Sequence, residues 1–156
     1  MKIALSLLIL GIFTSAAFAN ESFTFNSEKK NEVVITNTCS IKLNKVEQRS
    51  SKNSKSIKRE SYRIFYDGNR TANITLYKSN LEKVNKDNYY NSLNDGDMSF
   101  FNKLTKNNVD IYEVKTKKGN TGYQIVASTQ NGINVILTKN SFFYNTVKET
   151  CFGGRR

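Results

Sequence analysis

Apolar and polar positions change their rhythm several times along this chain, and each change predicts a different element. Lys2 is followed by a nearly unbroken apolar run from Ile3 to Phe13, and Ala17-Phe18-Ala19 has small-x-small spacing. This is the pattern of a secretory signal peptide cleaved after Ala19. Its apolar core is shorter than the roughly 20 residues a membrane span needs. No second such run follows, so the expectation is an exported chain from Asn20 onward, periplasmic or secreted, with no integral membrane segment. No cysteine follows the cleavage site directly, so a lipid anchor is not expected there.

Glu21 to Glu32 is polar apart from Phe23 and Phe25, which suits a loose arm or a short edge strand. Val33-Val34-Ile35 is a β-branched run, and Ile41 and Leu43 alternate after Cys39, predicting a strand or two. Gln48 to Ser56 then contains no apolar residue, so 48–61 is expected to be a basic, Ser-rich loop. Alternation returns with Tyr62, Ile64 and Tyr66 on one side and Arg63 and Phe65 on the other. Asp67-Gly68-Asn69 signals a turn and Ile74 and Leu76 resume the pattern, predicting a hairpin over 62–78.

From Ser79 to Lys106 the period lengthens to that of a helix. Leu81 and Val84 lie three apart, and Tyr89, Tyr90 and Leu93 extend that face. Asn94-Asp95-Gly96-Asp97 breaks the chain. Asp97 is placed to cap a second segment in which Met98, Phe101 and Leu104 recur at helical spacing. Three β-rich segments follow, Val109 to Val114, Tyr123 to Thr129 and Ile133 to Leu137. Turns at Lys118-Gly119-Asn120 and Asn131-Gly132 join them into an antiparallel meander over 109–138. Last, Ser141 can cap a short helix whose Phe143, Val147 and Cys151 share one side. The predicted fold class is α+β. An antiparallel sheet of N-terminal strands, hairpin and meander would carry the central helical segment and the C-terminal helix on one face, in a single domain over 20–156.

Composition changes this picture in two ways. The chain has two cysteines, Cys39 and Cys151, and in an oxidising compartment an even pair predicts one disulfide. The net charge is +11, and much of it falls in one stretch. Lys42, Lys45, Arg49, Lys52, Lys55, Lys58, Arg59 and Arg63 face only Glu47 and Glu60 there. A field of that sign attracts polyanions or an acidic protein.

Candidate chemistry is sparse. The chain has no histidine, which removes Ser-His and Cys-His nucleophiles and the usual acid/base near neutral pH. Ser27 and Lys30 have Ser-x-x-Lys spacing in a polar segment without the burial that would make the lysine a base. Asp67, Glu82, Asp110 and Glu113 could supply carboxylate pairs, and no spacing selects any two of them. Asp95 and Asp97 suggest a calcium loop, but Asn102 stands where the bidentate acid is required. No cofactor and no metal are expected. Tyr62, Tyr66, Tyr77, Tyr112 and Tyr123 fall on predicted strands beside Lys and Arg, a composition that suits a binding face. The leading expectation is a non-catalytic exported protein that binds another macromolecule, for example as an inhibitor, an immunity factor or an envelope accessory. The alternative is a polyanion-binding protein using residues 42–63, helped by Arg155 and Arg156, on nucleic acid, anionic lipid or a cell-wall polymer.

Overall fold

A computed structural model describes residues 23–24, 31–79, 85–96, 98–129 and 132–153. The signal-peptide pattern, Ser27, Lys30, Glu82, Asp97, Asn131, Arg155 and Arg156 lie outside them. Nine strands appear among the described residues: β1 Glu32–Thr36, β2 Cys39–Lys42, β3 Lys45–Asn53, β4 Ile57–Tyr66, β5 Arg70–Ser79, β6 Met98–Lys106, β7 Val109–Thr116, β8 Thr121–Thr129 and β9 Gly132–Thr138. The helices are α1, Lys86–Asp95, and α2, Ser141–Val147, the latter running into a π-helical turn, Lys148–Phe152. The expected α+β class is therefore wrong. Among the described residues the fold is mostly antiparallel β with two short helices.

β3 to β9 form one seven-stranded sheet in the order β3-β4-β5-β9-β8-β7-β6, antiparallel throughout, while β1 and β2 pair as a separate hairpin. β5 lies mid-sheet and β6 at the far edge, so the link between them must cross about four strand spacings, roughly 19 Å. That crossing carries α1 over one face, called here the inner face. Asn85 caps it by accepting the Asn88 N–H at 2.8 Å. The outer face is covered by the β1–β2 hairpin and by α2 with its π turn. There Ile64, Ile74, Ile111, Ile125 and Ile136 pack against Val33, Ile35, Phe143 and Val147. A disulfide joins Cys39 of β2 to Cys151 of the π turn, with Cα atoms 5.6 Å apart. It clips the two outer-face elements to each other. Among the described residues no helix is long and apolar enough to cross a membrane.

The expected helix over Ser79 to Lys106 is half wrong, for an identifiable reason. Residues 98–106 are β6, and a bulge between Phe101 and Leu104 inserts an extra residue, with Asn102 at φ 53. Phe101 pairs with Glu113 and Leu104 with Ile111, so both point to the same side although three residues apart. A bulged strand thus imitates helical spacing. The expected basic loop over 48–61 is also a correction: it is the β3–β4 hairpin. Ser54 turns it, donating to the Ile57 carbonyl at 3.0 Å and accepting the Ile57 N–H at 3.1 Å. An edge strand is held by main-chain bonds to one neighbour and needs no apolar side chain, so β3 stays exposed along most of its length. The last helix begins one residue earlier than expected. Asn140, not Ser141, caps it, accepting the Phe143 N–H at 2.8 Å while its amide donates to the Thr71 carbonyl at 3.0 Å. Phe143, Val147 and Cys151 are all buried on its one side.

Candidate anion-binding face

Alternation along β4 and β5 divides their residues cleanly. Ile64, Tyr66, Ala72, Ile74 and Leu76 enter the outer core, leaving Arg59, Ser61, Arg63, Asn73, Thr75 and Tyr77 on the inner face. Strand register extends this inner row through Leu137 of β9 and Gln124 of β8 to Tyr112 of β7. α1 covers only the far half of it, where Tyr112, Val114, Val126, Ile133 and Val135 form a second cluster with Tyr89 and Tyr90. The near half is open. A cleft of about 770 Å³ lies there, and residues from all seven strands of the sheet line it, from Arg49 of β3 to Met98 of β6.

Of the eight cations singled out from sequence, register gathers Lys45, Lys52, Arg59 and Arg63 on this face, with Arg49 in the β3 bulge beside them. Lys58 turns to the outer face and bonds Glu60 at 2.9 Å, Lys55 sits in the hairpin turn, and Lys42 belongs to the separate β1–β2 pair. Glu47 is the carboxylate among them, taking Lys45 and Arg49 at 2.7 Å each. The Lys45 hydrogen bond, with the Lys45, Arg49 and Arg63 charges, holds Glu47 below the usual carboxylate range. The Arg63 guanidinium lies 5.3 Å from the centre of the Phe65 ring and that of Arg59 lies 5.5 Å from the centre of Tyr77. Such stacking keeps the long side chains extended across the face with their charge outward.

The tyrosines divide differently from the sequence expectation. Tyr66 and Tyr112 are core residues, and Tyr62 and Tyr123 lean on the outer core, Tyr123 stacked on Tyr144 with centroids 4.6 Å apart. Tyr112 lies on the inner face beneath α1, so Tyr77 is the one of the five that strand register places on the open half of that face, while Tyr62 and Tyr123 border the cleft. Gln124, Thr75, Asn73 and Lys139, which the sequence reading passed over, all line the cleft. The signal was present in β5, where every second residue from Thr71 to Tyr77 departs from the aliphatic run.

Among the described residues, Asp67, Asp110 and Glu113 are not brought together as a pair. Asp67 sits exposed in the β4–β5 turn beside Arg70, and Asp110 and Glu113 point to opposite faces of β7. Asp110 is buried and fully engaged: Tyr90 donates to it at 2.5 Å and Thr105 at 2.8 Å, with Lys86 at 3.3 Å and Lys103 at 3.4 Å. Burial would raise its pKa. The two hydroxyl donors and two ammonium groups outweigh that and hold it below the usual range. Burial, then the Asp110 carboxylate, push the Tyr90 phenol upward. A carboxylate so satisfied ties α1 to the sheet and is neither a free acid nor a free base. Among the described residues no three of His, Cys, Asp or Glu are grouped to hold a metal ion. No protein-family model, curated protein or solved structure matches this chain.

Proposed function

We propose that this chain is an exported, non-catalytic binding protein whose partner is an anionic polymer lying across the inner face of β3, β4 and β5. The observation that carries the reading is the gathering of Lys45, Arg49, Lys52, Arg59 and Arg63 on one face, with Glu47 as the carboxylate among them. Export rests on the pattern of residues 1–19 and is consistent with the Cys39–Cys151 disulfide. A row of cations along two strands suits a linear polymer, because phosphates or sulfates spaced along it can each displace a counterion.

The test is a salt series of binding to heparin, duplex DNA and an anionic envelope polymer. Charge-reducing Gln substitutions at Arg49, Lys52, Arg59 and Arg63 should weaken binding at least tenfold at low salt and flatten its salt dependence. Gln at Lys42, Lys55 and Lys58, which stand off this face, should change it little. Equal losses in the two variants would mean that net charge, and not this face, governs binding. Exposed Phe101 and Leu104 on edge strand β6 favour a second reading, an acidic protein partner anchored by apolar side chains. Capture of such a partner that is abolished by Phe101→Ser and unaffected by heparin would favour it.

A further inference from the structure

The cleft beside the basic row differs from it in chemistry. Its floor is apolar, with Met98 of β6, Val114 of β7 and Leu137 of β9 lying next to Tyr77. A polymer of sugar rings would stack on an open aromatic face, but Arg59 already covers Tyr77. The walls carry Arg49 and Arg59 on the β3–β4 side, and no carboxylate is among the lining residues. Arg59 has no carboxylate partner among the described residues. Asn73, Thr75 and Lys139 add further polar groups, and from the β8 side so does Gln124, although it is only 7% exposed. Its Oε1 accepts the Tyr89 and Tyr112 hydroxyls at 2.7 Å each. Gln124 lines the cleft, where its amide N–H2 can donate to whatever fills it. The volume, about 770 Å³, lies in the range of small-molecule sites.

We propose that this cleft binds an aliphatic carboxylate, its chain on the Met98–Val114–Leu137 floor and its head at the Arg49–Arg59 wall, with Gln124 donating from across the cleft. The site is separate from the polymer reading although it shares two arginines with it. Guanidinium groups match a carboxylate with two parallel hydrogen bonds, and the dry floor supplies the remaining affinity.

Isothermal titration of the protein with octanoate, decanoate and dodecanoate, each below its micelle concentration, tests the proposal, with decanol as the uncharged probe. One molecule should bind per chain. Affinity should climb by up to about fourfold per added methylene until the floor is covered. Decanol should bind at least tenfold more weakly than decanoate. Arg49→Gln with Arg59→Gln should weaken decanoate about tenfold and leave decanol unchanged, while thermal unfolding confirms that this exposed pair has not altered the fold. Equal affinity for acid and alcohol, a stoichiometry well above one, or indifference to the arginine pair would each overturn the proposal. So would saturation by polyglutamate without any by dodecanoate. Heparin retained with dodecanoate unbound sinks this inference alone, and the reverse result sinks only the polymer reading.

Discussion

At the scale of single residues, two buried polar groups respond oppositely to removal. Asp110 has four partners, and its pKa is depressed in the folded chain. A depressed carboxylate stabilises the fold above its unfolded pKa of about 3.9, and that contribution disappears as pH falls through the lower folded value. Urea unfolding should therefore show stability falling on the acid side, with a shallower decline in Asp110→Asn. Asp110→Ala should cost about 2–3 kcal/mol near neutral pH, because it strands the Tyr90 and Thr105 hydroxyls and leaves Lys86 and Lys103 facing each other. Tyr144 is the contrary case. Its hydroxyl is buried without a hydrogen-bond partner among the described residues, while its ring stacks on Tyr123. Tyr144→Phe keeps the ring and removes the orphan, so the same urea measurement should find it neutral or more stable by up to about 1 kcal/mol. A loss of more than that would reveal a partner for the hydroxyl.

Among the elements, the outer cover is the part the disulfide controls. Cys39 and Cys151 close a loop of 112 residues in sequence, a constraint worth about 4–5 kcal/mol in the chain-entropy account and typically 2–5 when a native bridge is removed. Cys39→Ala with Cys151→Ala should lose an amount in that range by urea unfolding. Hydrogen exchange should rise first in β1, β2 and α2, which the bridge clips to the outer face. The β7–β8–β9 meander, buried on both faces over much of its length, should stay protected. Early exchange in the meander instead would show that the outer cover, and not the bridge alone, holds the sheet together. Lys106 adds a second tie, donating to the Cys151 carbonyl at 2.8 Å from the end of β6.

For the molecule as a whole, phenols set the alkaline limit. Burial raises Tyr89 and Tyr144 to about 12, raises Tyr62 to about 12 with help from Glu60, and pushes Tyr90 and Tyr112 upward as well. A raised phenol contributes stability that is complete below its unfolded pKa of about 10 and is lost as pH climbs through the folded value. Unfolding above pH 10 should therefore be cooperative. In a spectrophotometric titration, part of the phenolate absorbance should appear only together with loss of the β circular dichroism. Smooth ionisation of all eight tyrosines with the β signal intact would contradict the burial of the inner cluster.

Local signals in the chain were enough for the 109–138 meander, the 62–78 hairpin and the last helix, because alternation and turn chemistry act over neighbouring residues. The disulfide was legible too, since with two cysteines it is a matter of counting. One further local signal pointed to β6: Asn107-Asn108, with φ 49 and 62, turns β6 directly into β7, and asparagine tolerates that left-handed pair. It was outweighed by a bulge that gave Phe101 and Leu104 the spacing of a helix. The exposed β3 strand had no apolar pattern to reveal it, since its bonds are to the main chain of β4. The cleft and the basic row belong to the tertiary structure alone. Sequence placed eight cations within residues 42–63, but only strand pairing decides which of them share a face. β5 pairs with β9, a partner more than fifty residues away, and that contact brings Arg59 and Gln124 to opposite walls of one cleft.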